Sequence, residues 1–389
     1  MKYLTIPLLL FILSCNSESK LERAHSLKTS TLELIKSKSF AAAIDTAQIA
    51  LELFEKEQDK TGQAEMYFHL ARASAMHGNY QEAKRYGENG SVLAKEIEDL
   101  QLEYKINNIL SWSYFSLGMG FEETIDHQNR QLKIVNQLND EAAKAMIYNN
   151  YGYDATVSGL VHLDSAIKHM KWANDYYGKQ ENTHGRWYTL MNLCWQHRLK
   201  NELETSKAYG MHSLSQAKAD SDRHATIEAA TNLSETLIVL QNLEEAGEKL
   251  KEVNELANEQ EDRDRYVYDI YYAHYLGEIG KPEEAIELLK SSVYFLSTGE
   301  IFYEMLGRAY LATYAFEVNN RMLVQEQIDV FNNPRAGYFS METKVIAAIA
   351  EAKMNSNEQV LDEWIKKSRL IGATYLVEQL ENVKVEIAS

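Results

Sequence analysis

Two kinds of position recur along the chain and stay in step with each other. The first is a small residue that follows a bulky one inside an apolar stretch of helical period: Leu70/Ala71, Leu110/Ser111, Tyr151/Gly152, Leu193/Cys194, Leu233/Ser234, Tyr272/Ala273 and Leu311/Ala312, continued by Ala348. The second is a small or β-branched residue at Ala43, Ala83, Thr124, Ala166, Ser206, Ala246, Ala285, Val324 and Val360. Successive members of this second series lie 36 to 42 residues apart. Each interval is long enough for two helices and two turns. The clearest unit is Arg265–Ser292, with Tyr272, Ala273 and Leu276 on a first helix, a Gly280-Lys281-Pro282 turn, and Ala285, Ile286, Leu288 and Leu289 on a second. A hairpin this small cannot bury its apolar face alone and must stack on copies of itself. Only a small side chain fits where two helices press against the next hairpin, and bulky neighbours fill the remaining gaps. The pattern therefore predicts an all-α hairpin solenoid of about nine repeats. Ala373–Ala388 keeps helical periodicity with no partner hairpin, which predicts a terminal capping helix.

Composition supports this picture. The chain has three prolines, Pro7, Pro282 and Pro334, in 389 residues, and it lacks alternating strand-like runs. Its formal net charge is −17, which repels phosphate backbones and argues against nucleic-acid binding. The start of the chain is different in character. In MKYLTIPLLLFILSC, one lysine precedes an apolar run from Leu4 to Leu13. As a helix that run would reach about 15 Å, half the hydrocarbon thickness of a bilayer. It predicts a secretory signal at residues 1–14. Without Cys15, Cys194 has no partner for an intramolecular disulfide and sits at a small-residue packing position.

The strings HGNYQEAKRY (His77–Tyr86) and IGKPEEAIELL (Ile279–Leu289) resemble the tetratricopeptide repeat (TPR) family. The resemblance spans residues 26–370 and implies a right-handed superhelix whose first helices line a concave, peptide-binding face. The period near 40 is similar to the long-helix subgroup that includes kinesin light chains and Gram-positive peptide-pheromone sensors. Residues 371–389 are left for the cap. Ile12-Leu13-Ser14-Cys15 resembles a bacterial lipobox, which implies that Cys15 is lipidated, that residues 15–25 form a tether, and that Asn16 directs the protein to the outer membrane.

Candidate chemistry is sparse. A Gly-rich phosphate loop, a nucleophile elbow and an HExxH motif are all missing, and the histidines have no ligand partners at metal spacing. The expectation is a non-enzyme without metal or cofactor. The informative positions lie on first helices. Two residues before the small marker stand Asn150, Asn192 and Asn232, in three consecutive units. Asn is mediocre inside a helix, so its recurrence needs a reason. An amide donates to and accepts from a peptide backbone whatever its sequence. The row resembles the asparagine ladder of the O-GlcNAc transferase repeats; the alternative is that these residues cap or bridge neighbouring helices structurally. One residue after the marker come Trp112, Tyr153 and Trp195, with Arg198 one turn on. These are candidate anchors beside the ladder, or packing between first helices. The expected function is a membrane-anchored scaffold that binds a protein or peptide segment on its concave face. The alternatives are a periplasmic regulatory module acting through a separate effector and a glycan-binding lipoprotein of SusD type, against which the short turns argue.

Overall fold

The computed structural model describes residues 19–117, 121–259, 262–297, 301–333 and 340–388. The expected signal, Cys15 and Asn16 lie outside these residues. The described residues form helical hairpins and divide into two compact units, 1–113 and 114–389.

Unit 1 contains α1 (Lys20–Lys36), α2 (Phe40–Lys56), α3 (Lys60–Met76), α4 (Tyr80–Glu96) and most of α5 (Leu100–Ser116). Helix α1 begins inside the stretch expected to be a tether, and Ser19 caps it with Glu22 in a reciprocal capping box. Unit 2 contains α6 (Phe121–Leu138), α7 (Glu141–Ser158), α8 (Leu163–Lys179), α9 (Thr183–Leu199), α10 (Leu203–Ala219) and α11 (Arg223–Val239). It continues through α12 (Leu243–Ala257), α13 (Arg263–Glu278), α14 (Pro282–Leu296), α15 (Ile301–Glu317) and α16 (Arg321–Phe331). It ends with α17 (Met341–Asn355), α18 (Glu358–Ile371) and α19 (Thr374–Ala388). Among the described residues α1/α2 and α3/α4 in unit 1 and α7/α8 through α17/α18 in unit 2 pack as hairpins, and α19 follows as a terminal helix.

The recurring small residues are where the layers press together. Ala71, Cys194, Ser234, Ala273 and Ala312 are wholly enclosed, as are Ala43, Ala83, Ala166, Ser206, Ala246, Ala285 and Val324 on the second helices. At Gly152 a β-carbon would lie 2.4 Å from the Met170 side chain on the partner helix, so no larger residue fits without moving it. Turns repeat as well. Most close with one left-handed residue followed by an N-cap. In His77-Gly78-Asn79, Gly78 has φ +83° and the Asn79 side chain accepts from the Glu82 amide. Lys38, Gln58, Glu98, Asn139, Glu181, Asn201, Ser221, Gln241 and Asn319 take the same left-handed conformation without being glycine. Each tolerates a cost of roughly 1–2 kcal/mol that the stacked hairpins impose.

In unit 2 the first helices form a continuous inner layer, each touching the next from α7 through α17 and then α19. That layer closes on itself. Helix α17 touches α7, and α19 touches α9. Thr374 Oγ1 donates to the Lys200 carbonyl at 2.5 Å, and Asn201 Nδ2 donates to Glu378 Oε2 at 2.9 Å. One apolar cluster joins Val157, Leu163, Trp195 and Leu199 to Met341, Val345, Leu361, Leu376 and Leu380. The terminal helix covers the last hairpin, as expected of a cap, and also bridges back to α9. Among the described residues no helix is long and apolar enough to cross a membrane.

Candidate functional site

The inner face of unit 2 has two polar levels. The first lies towards the N-terminal ends of α9, α11, α13 and α15. Glu228 accepts from Arg263 Nη2 at 3.0 Å and from the Tyr303 hydroxyl at 3.1 Å, and the Arg263 guanidinium sits 4.9 Å from the Tyr303 ring centre. Tyr153, Tyr188 and Tyr271 surround this pair, and burial pushes their phenols, like that of Tyr303, well above the usual range. All four are only half-buried by surface area.

The second level lies towards the C-terminal ends of α9, α11 and α13. Glu342, on the first turn of α17, accepts from Trp195 Nε1 at 2.8 Å and from Arg198 Nη1 and Nη2 at 2.5 and 3.2 Å. Fork-to-fork pairing of this kind is the strong form of the carboxylate–arginine contact. Glu235 accepts from His274 Nδ1 at 2.8 Å and from the Tyr310 hydroxyl at 2.9 Å. Burial opposes charge on both Glu235 and His274, but their mutual attraction prevails. The Glu235 pKa is lowered and that of His274 raised, so the ionised pair is favoured. The His274 ring also stacks on Tyr310, with centres 4.2 Å apart. Several contacts cross the inner face. Tyr303 and Tyr310 on α15 reach past α13 to α11, and Phe302 meets Trp195 edge-on at 6.3 Å. Beside these contacts lies a cavity of about 340 Å³ walled by α9, α11, α13, α15, α17 and α19. Arg198, Glu235, His274, Tyr310, Glu342 and Tyr375 line it, and exposed Gln241, Glu278 and Gln379 mark its rim. It is at the lower end of the size range of small-ligand pockets.

The residues singled out from sequence fall as follows. Asn192 is buried, within reach of the Tyr188 phenol, and neither its Nδ2 nor its Oδ1 completes a hydrogen bond. Asn232 is half-buried and its buried Oδ1 is likewise unsatisfied, while Asn150 is half-buried. Among the described residues, no hydrogen bond ties these three amides to a neighbouring helix as structural bridges. Tyr153 and Trp195 are adjacent, with ring centres 6.3 Å apart, on α7 and α9. Trp112 belongs to unit 1, is 44% exposed and meets Tyr80 edge-on at 5.7 Å. Arg198 is buried against Glu342, and its Nε has no acceptor. Cys194 is enclosed beside Ser206 and Thr236, and burial pushes its thiol pKa up. Among the described residues no group of His, Cys, Asp and Glu is arranged to hold a metal ion.

Sequence reasoning missed Glu235, Glu342, Tyr303 and Tyr310. A carboxylate in the first turn of a helix, as Glu342 is, ordinarily reads as favouring the helix dipole. Glu235 did carry a signal, since it continues the row of Trp112, Tyr153 and Trp195 one unit later.

No protein-family model matches the chain, and no curated protein matches it. Solved structures do. A Rap protein complexed with competence and sporulation factor is 17% identical, with 95% of this chain and 99% of that one covered, at a TM-score of 0.59. The apo form of the quorum sensor NprR from B. thuringiensis is 14% identical over 80% of this chain and 88% of that one, at 0.62. NprR in complex with its cognate peptide NprX is 16% identical over 80% and 86%, at 0.50. Together with the consecutive helix pairs, this likeness establishes a TPR-type helical solenoid.

Proposed function

We propose that the chain is a TPR-type binding protein that takes a peptide or protein segment on the inner face of unit 2 and does no chemistry on it. The observation that carries this reading is a set of buried polar atoms on first helices whose hydrogen bonding is incomplete: the amide of Asn192, which has only the Tyr188 phenol within reach, Oδ1 of Asn232 and Nε of Arg198. A buried amide left unsatisfied costs about 1–3 kcal/mol, and a backbone amide from a ligand would recover it. Proteins of the same fold give the reading further support, because the Rap protein is complexed with a factor and NprR with its cognate peptide.

Crosslinking followed by mass spectrometry of co-purified partners from membranes tests this. The double variant Asn192→Ala, Asn232→Ala is expected to lose the crosslinked partner while its far-ultraviolet circular dichroism stays that of the wild type. Unchanged crosslinking would place the binding face elsewhere.

The site of action in this reading is the bacterial envelope. Cys15 carries acyl chains, each buried methylene contributing about 0.8 kcal/mol to membrane attachment. The membrane is the outer one, and the −17 chain is not a nucleic-acid binder. Cys15→Ser should move the protein from the membrane fraction to the soluble fraction, and a variant that stays with membranes would refute the anchor.

A further inference from the structure

Trp195 and Arg198 stand on α9, the first helix of its hairpin, at positions suited to anchoring a ligand, and in this structure they already hold a carboxylate. It comes from Glu342, 144 residues away in sequence. Other charged pairs on the inner face join adjacent hairpins and fix the coil locally: His274 to Glu235 lie 39 residues apart, and Arg263 to Glu228 lie 35 apart. The Arg198–Glu342 pair does something else, in that it holds α17 against α9 across the inner space.

Three features suit this pair to an exchangeable occupant. The acceptor is bound by three donors, two from a guanidinium and one from an indole, and that set fits any carboxylate. Arg198 is 4% exposed and keeps one further donor, Nε, without an acceptor, so Glu342 does not fill the site. Both Arg198 and Glu342 line the 340 Å³ cavity, which gives an entering group room beside them. Exchange of one carboxylate for another keeps Arg198 paired, while the displaced Glu342 loses its partner and is relieved only when α17 moves it towards water, which couples exchange to release. Around the pair, α17 and α19 meet α7 and α9 through the exposed Thr374–Lys200 and Asn201–Glu378 bonds and through the apolar cluster of Val157, Trp195 and Leu199 with Met341, Val345 and Leu376. Stability in stacked hairpins is largely a sum over neighbours. Losing a contact between distant hairpins therefore loosens the closure without unfolding the units that make it.

We propose that Glu342 is an internal stand-in for a ligand carboxylate: a carboxylate on the bound peptide replaces it at Trp195 and Arg198 and releases α17 and α19 from α7 and α9. This rests on the peptide-binding reading above and names the chemistry that reading lacks. The carboxylate is either an acidic side chain or the free end of a chain.

The test uses the whole protein labelled with 5-fluorotryptophan, with the Trp195 resonance assigned through Trp195→Phe, alongside hydrogen exchange read by mass spectrometry. Glu342→Gln is expected to speed exchange in α17 and α19 by about tenfold or more while α11 and α12 keep their wild-type rates. In Glu342→Ala the vacated site is expected to take millimolar acetyl-glutamate amide or acetyl-dialanine, moving the Trp195 resonance saturably. Whichever of the two acts identifies a side-chain or a terminal carboxylate, and neutral acetyl-glutamine amide should do nothing. Unchanged exchange in Glu342→Gln would overturn the release step. Faster exchange with no response of Trp195 to either carboxylate would overturn the receptor and leave Glu342 a plain clasp. Neither readout depends on partner crosslinking through Asn192 and Asn232, so failure of the peptide reading shows up separately.

Discussion

The two helices of a single hairpin, α11 and α12, have opposite surroundings. In α11, 13 of 17 residues are buried, among them Glu228, Glu235 and four threonines or serines. In α12, four of 15 are buried, all apolar: Ala246, Leu250, Val253 and Ala257. Helix α12 is the ordinary amphipathic case, with one face on its neighbours and the rest in water. Helix α11 lies between the outer helices and the side chains that cross from α13 and α15, so beyond its first turn, where His224 is exposed, none of its residues is fully solvated. Polar residues therefore mean different things on the two layers. On the outer layer they are solubility, and on the inner layer they are either paired across the interior or waiting for a partner.

The sharpest way to break this contrast is to remove one carboxylate from each layer. Glu235→Ala on α11 should cost about 2–5 kcal/mol, because it leaves two buried donors, the His274 ring and the Tyr310 hydroxyl, without their acceptor. Glu244→Ala, exposed on α12, should stay within about 0.5 kcal/mol. Denaturant unfolding checks both, and equal costs would mean that the inner layer is wet. Next comes packing. At Gly277 on α13 a β-carbon would lie 2.0 Å from the buried Tyr314 ring, whose hydroxyl is tied to the His274 carbonyl at 3.1 Å. Gly277→Ala should destabilise by about 1–3 kcal/mol in the same measurement.

Two smaller effects depend on pH. Asp154 on α7 is buried, with a hydrogen bond from Gln128 as its compensation, and burial raises its pKa to about 7. An acid whose folded pKa is raised loses stability as pH climbs from its ordinary range to that value. Asp154→Asn should thus raise Tm by several degrees near about pH 8 and leave it unchanged near about pH 4. His274 is the opposite case. Its folded pKa is raised, so its contribution is complete below the ordinary value of about 6.5 and fades as pH rises through the folded one. Glu235, with a lowered pKa, requires that pH stay above the ordinary carboxylate range, and Glu278 and Arg198 act on the His274 ring with opposite signs. The Tm gap between wild type and His274→Gln should therefore be widest near about pH 6 and narrow towards about pH 9.

The hairpins were legible in the sequence because their cause is local. Ala71, Cys194, Ala273 and the rest recur wherever two helices meet a third, so spacing alone exposes them. The left-handed turn residues were half legible. Gly78 and Gly280 announce themselves, whereas Lys38 or Gln241 in the same conformation do not. For the candidate site, the Asn row and the Tyr153–Trp195 pair could be placed on first helices, and Arg198 with them. What they meet could not. Arg198 to Glu342 spans 144 residues and Thr374 to Lys200 spans 174, and no periodic pattern encodes a pairing made once. The terminal helix reads as a cap because its apolar face fits one, and its second role depends on how far the preceding hairpins curve.

The claim that the inner layer of unit 2 closes on itself can be tested by one distance. In a Cys15→Ser background, spin labels at Asn201→Cys and Glu378→Cys report directly on the gap between α9 and α19. Cys194 is buried, with its thiol pKa pushed up, and should stay unlabelled. The native side chains at these positions are 2.9 Å apart. The account predicts a single short, narrow distance distribution for the unliganded protein. A long or broad distribution would mean an open groove, with Trp195 and Arg198 facing solvent and no cavity between the layers.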